Sequence, residues 1–73
     1  MRQADMILRY LREEGSITPI DALREFGCMR LGARIYDLKQ RGFDIIRTME
    51  SKPNRYGKTV SYARYHLGAG ENG

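Results

Sequence analysis

Residues 26–43 read FGCMRLGARIYDLKQRGF, and the periodicity of this stretch decides the fold. Leu31, Ile35 and Leu38 recur at the three- and four-residue intervals that gather side chains on one face of an α-helix. The pattern predicts a helix from about Met29 to Arg41, closed by Gly42. Its start is weakly marked: Cys28 stands where Ser, Thr or Asp would cap the first turn. With Leu31, Ile35 and Leu38 turned inward, Ala33 and Gln40 point most directly outward, flanked by Arg30, Tyr36 and Asp37.

Upstream, SITPIDALREFG opens a second, shorter helix. Thr18 is a good N-cap, Pro19 suits the first helical position, and Asp21 can reach back to the cap N–H. Ile20, Leu23 and Phe26 are expected to form its inner face, and Gly27 ends it. Further upstream, ADMILRYLREEG spaces Ala4, Ile7, Leu8 and Leu11 as one apolar stripe, with Gly15 as the stop. A short helix, a turn centred on Gly27 and a longer helix make a helix-turn-helix.

After Gly42 the period changes from 3.6 to 2. In FDIIRTME, residues Phe43, Ile45, Arg47 and Met49 share a face. In TVSYARYHL, residues Val60, Tyr62, Arg64 and His66 alternate with Ser61, Ala63, Tyr65 and Leu67. Both runs read as strands. The stretch SKPNRYGK between them predicts a hairpin with a long basic tip. Three helices followed by a hairpin define an α+β, winged helix-turn-helix architecture over residues 1–67, with 68–73 as a disordered tail.

More narrowly, ITPIDALREFGCMRLGARIYDLKQRGF resembles a family of small helix-turn-helix domain proteins common in bacteriophages and prophages. The matching positions are Thr18, Pro19, Ala22, Leu23, Gly27, Cys28, Arg30, Leu31, Ala33, Arg34, Ile35, Asp37, Leu38 and Gly42. The closing RYHL is similar to the family's final strand. The likeness covers about Asp5 to Leu67 and implies a winged helix that binds DNA.

The charge distribution points the same way. Met1 to Phe26 carries four Arg and five acids, a net of −1, whereas Gly27 to His66 carries nine Arg or Lys against three acids, a net of +6. A basic half beside a near-neutral half is the footprint of a surface that meets a polyanion. With 73 residues, one Cys and one His, the chain is read as a single domain without metal, cofactor or disulfide. No run approaches the length of a membrane span, and Asp5 interrupts what would be a signal-peptide core. The expectation is a cytoplasmic protein in a bacterial host. No pair of groups has nucleophile–base spacing, so binding rather than catalysis is expected.

The candidate DNA-binding residues are Met29, Arg30, Ala33, Arg34, Tyr36 and Gln40 on the third helix and Arg47, Lys52, Arg55, Tyr56 and Lys58 on the hairpin. Arg30 is the expected base reader, because a guanidinium bonds O6 and N7 of guanine together. Ala33 is small enough to approach a thymine methyl. Arg34 is equally suited to a structural pairing with Asp37, three residues on. Lys52, Arg55 and Lys58 are expected along the phosphates. A domain with so few base contacts suits a homodimer on DNA. The competing expectation is a module that binds and inhibits a host or defence protein through the third helix and the wing, with Met29, Arg30 and Tyr36 as a small hot spot.

Overall fold

The computed structural model describes residues 3–68. The element order is α1 (Gln3–Glu14), β1 (Ser16–Ile17), α2 (Pro19–Phe26), α3 (Leu31–Gln40), β2 (Ile45–Pro53) and β3 (Thr59–Leu67). The three strands form one antiparallel sheet in the order β1-β3-β2. The expected three helices and hairpin are present, and β1 is an addition. Two residues are too short to show a period, so Ser16 and Ile17 carried no signal of pairing with His66 and Tyr65.

The core follows the apolar stripes. Ala4, Ile7, Leu8 and Leu11 of α1 bury against Leu31, Ile35 and Leu38 of α3, with Ile17, Ile45 and Leu67 sealing the sheet side. Tyr10, Phe26, Phe43 and Tyr65 pack at the margin, Tyr10 and Phe26 edge to face at 5.6 Å. Cys28 is buried in the turn and behaves as a small apolar residue.

Helix α2 departs from the sequence reading. Its capping box is complete: the Asp21 N–H donates to Thr18 Oγ1 at 3.3 Å, and the Thr18 N–H donates to Asp21 Oδ2 at 3.1 Å. Its buried residue, however, is Ala22, while Ile20 and Leu23 are 62% and 46% exposed. Over barely two turns, three apolar positions do not fix which side of a helix faces in. The small side chain of Ala22 lets α2 sit close to the core and turns Ile20 and Leu23 outward.

Helix α3 starts later than expected. Gly27 takes φ +63°, donating to Leu23 O at 2.9 Å, and Cys28 N donates to Ala22 O at 3.1 Å. These bonds extend the α2 cap through Cys28, so Met29 lies outside both helices and Arg30 becomes the α3 N-cap. The hairpin is also longer and its tip shorter than expected. Ser51, Lys52 and Pro53 continue β2, paired with Ser61, Val60 and Thr59. Gly68, assigned to the tail by sequence, is buried, and its N–H donates to Asp44 O at 2.8 Å; residues 69–73 lie outside the described range.

Candidate nucleic-acid interface

The start of α3 presents two exposed side chains side by side. Met29 is 85% exposed, and Arg30 caps α3 with its backbone alone, its carbonyl accepting from Ala33 N at 3.1 Å and Arg34 N at 3.3 Å. Among the described residues, the Arg30 side chain makes no capping bond and no ion pair, which leaves the guanidinium open to a partner. One turn on, Ala33 is half-buried, and Tyr36 is 59% exposed.

The two flanks of α3 then diverge. On the α1 side, Arg34 Nη2 pairs with Asp37 Oδ2 at 3.2 Å, and Arg41 Nη1 bonds Asp5 Oδ1 at 2.7 Å. Arg34, Asp37, Gln40 and Arg41 line a groove with Gln3 and Ala4. The Arg34 Nε is buried there without a hydrogen-bond partner among the described residues. Arg34 and Gln40 therefore belong to the seam between α1 and α3 rather than to the front of the helix.

On the other flank, a Cβ at Gly32 would lie 3.9 Å from the Tyr65 hydroxyl. This is ordinary contact with the sheet. Strand alternation puts Arg47 and Met49 on the Tyr65 face of the hairpin, so both look toward α3. Lys39, exposed and two helical turns beyond Gly32, stands on the same flank. Sequence reasoning missed Lys39; its position on the wheel beside Gly32 was the available signal.

Lys52 faces the other way. It pairs with Val60 on the opposite face of the hairpin, its Nζ lies 5.7 Å from the Tyr62 ring centroid, and it lines a groove with Thr18, Pro19, Ile20 and Asp21. The tip itself is built by Asn54. Its Oδ1 accepts from Tyr56 N at 2.9 Å and Lys58 N at 3.1 Å, and its carbonyl accepts from Gly57 N at 3.0 Å. Gly57 takes φ +78°, the left-handed position of a three-residue hairpin loop. Arg55, Tyr56 and Lys58 are thus held out from the body on an ordered turn.

The electrostatics sort the cations into two groups. Arg9, Arg24, Arg34, Arg41 and Arg64 each pair with a carboxylate. Arg64 also donates to Ser16 Oγ at 2.8 Å, and its hydrogen bond, followed by that of Tyr62, holds the Glu50 carboxyl below the usual range. Among the described residues, Arg30, Lys39, Arg47, Lys52, Arg55 and Lys58 have no acidic partner, and all lie on α3 or the hairpin. Arg12 on α1, whose guanidinium sits 5.8 Å from the Phe43 ring centroid, has no acidic partner among the described residues either.

The sequence profile of the winged helix-turn-helix domain matches residues 2–70, nearly the full length. The chain belongs to this family. No curated protein and no solved structure matches it. In this winged helix-turn-helix domain, α2 and α3 form the helix-turn-helix and β2 and β3 form the wing. The fold is one that binds DNA, with the second helix of the motif entering the major groove. Among the described residues of the winged helix, no helix is long and apolar enough to cross a membrane, and no group of three His, Cys, Asp or Glu is gathered to hold a metal.

Proposed function

We propose that this winged helix is a phage or mobile-element DNA-binding protein, a transcriptional regulator or an excisionase-like accessory factor working in the bacterial cytoplasm. Helix α3 enters the major groove, Arg30 reads a base edge, and the wing tip rests on the backbone. The observation that carries this reading is the sorting of charge: among the described residues, the cations left without acids are, Arg12 apart, those at the start of α3, on α3 and on the hairpin. Unpaired cations on a protruding surface are what phosphate binding requires. The long β2, unpaired on its outer side, gives a homodimer an edge to use.

The direct test is fluorescence anisotropy of a labelled random duplex titrated with the protein at two salt concentrations. Binding at about 50 mM salt that falls steeply as salt rises supports the proposal. No binding at that salt overturns it.

A second reading, inhibition of a host protein, is favoured by the apolar shoulder that Ile20, Leu23 and Met29 form beside Cys28 and Leu31. Exposed apolar groups ringed by charge are a common interface core. Ile20→Ser with Leu23→Ser separates the two: DNA binding that survives while biological activity is lost supports the protein-binding reading.

A further inference from the structure

We infer that the preferred DNA target is a guanine contacted by Arg30 within A·T-rich sequence, read mainly through the thymine methyl groups. The inference rests on the DNA-binding reading and concerns what the same face can distinguish.

The argument is one of subtraction. Base identity in the major groove is read by side-chain hydrogen bonds or by apolar contact with the thymine C5-methyl. The side chains on or beside α3 that could make the hydrogen bonds are Arg30, Arg34, Tyr36, Asp37, Lys39 and Gln40. Arg34 is committed to Asp37, and Gln40 lies with it in the α1 seam. Lys39 stands on the flank that faces the wing. Arg30 alone remains at the front with its fork unoccupied. The rest of the front is apolar or aromatic: Met29 at 85% exposure, Tyr36 at 59%, and the small Ala33 between them in sequence. Among the described residues, this front offers the amino groups of adenine and cytosine the Tyr36 hydroxyl and neither a carboxylate nor an amide. It can, however, cover methyl groups and remove them from water.

The geometry adds a reason why Ala33 matters. It lies one turn beyond Arg30, so a base pair adjoining the guanine falls against its methyl. A larger residue would hold the helix away; a polar one would favour another base. Each thymine methyl covered is comparable to burying one CH₂, which corresponds to about a fourfold change in affinity.

The test uses the full chain. Sequences are selected from a random duplex pool, and the best site is resynthesised with deoxyuridine in place of thymidine, which removes the methyls and keeps every Watson–Crick bond. The expected result is an A·T-rich site around one constant guanine, weakened roughly fourfold per contacted thymine. Tyr36→Ala should shrink the thymine-to-uracil ratio, a readout that cancels any loss of folded protein. A selected site that binds equally with thymine or uracil overturns the inference and leaves DNA binding standing. Failure to bind any duplex overturns both.

Discussion

Arg30 joins two structural roles that a mutation can separate. Its backbone caps α3, and its side chain takes no part in the cap. Truncation to alanine should leave the folded state within about 0.5 kcal/mol of its original stability, as for other surface changes. The same truncation removes a fork worth about 1–3 kcal/mol of discrimination between bases. Thermal denaturation of Arg30→Ala should therefore be unchanged while its preference for the selected site over random duplex collapses. Equal weakening on both duplexes would show that Arg30 touches phosphate instead. Glu50 offers a contrasting case, where charge serves the fold. Arg64 and Tyr62 hydrogen-bond its ionised form and hold its pKa below the ordinary value. A carboxylate depressed in this way contributes stability above its unfolded pKa, and that contribution is lost as pH falls through the folded one. Glu50→Gln should melt below the wild type at pH 7, with the gap closing once the pH falls below the ordinary glutamate value of about 4.3. A gap that stays constant across acid titration would mean that Glu50 acts through packing.

Elements were legible in proportion to the number of repeats that each could show. Helix α1 spans three turns, and its stripe of Ala4, Ile7, Leu8 and Leu11 is the buried face. Helix α2 is eight residues long, and the stripe of Ile20, Leu23 and Phe26 had an equally helical competitor in Ala22, which the core selected. Its cap, by contrast, was readable residue by residue, because Thr18 and Asp21 act locally. In the candidate interface, the exposure of Arg30, Tyr36 and the tip cations was readable from the wheel and the turn residues. The pairing of Arg34 with Asp37 was readable from their spacing, but the groove that Gln40 shares with them was not, because it depends on where Gln3 and Ala4 of α1 come to rest. Lys52 was misplaced for a related reason: a strand rich in Ser, Lys and Pro has no alternation to reveal that pairing continues to Pro53. The wing tip then makes an element-scale prediction. Gly57 sits at φ +78° with open space around it, so Gly57→Ala meets backbone strain and no clash. That strain is on the order of 1–2 kcal/mol, enough to loosen the turn that Asn54 organises. Faster amide exchange at Tyr56 and Lys58 and weaker binding to every DNA sequence alike should follow, with sequence preference intact. A change in preference would move the tip from backbone anchor to base reader.

For the whole molecule, the sorting of charge sets how binding responds to salt. Net charge of +4 is a poor guide here, because Arg9 on α1, Arg24 on α2 and Arg34 and Arg41 in the α1–α3 seam are already matched by carboxylates. On the proposed reading, a polyanion meets the unmatched set at the start of α3, on α3 and on the hairpin, and the two faces of the hairpin are not equivalent. Arg47 is on the face turned toward α3, whereas Lys52 is on the far face beside Tyr62. If about five cations of this set reach phosphates, log K should fall against log salt with a slope near −4.5, since each phosphate neutralised contributes about −0.9. Replacing one contacting cation by alanine should make the slope shallower by about 0.9. Arg47→Ala and Arg55→Ala are expected to do so, and Arg9→Ala, whose arginine pairs with Glu13 on α1, is expected not to. Lys52→Ala decides between two ways of seating the wing. An unchanged slope places the duplex against the α3-facing side of the hairpin, with Lys52 shielding Tyr62 on the back. A slope shallower by the full amount places a phosphate in the groove between Lys52 and the start of α2, so that the duplex wraps the hairpin from both sides.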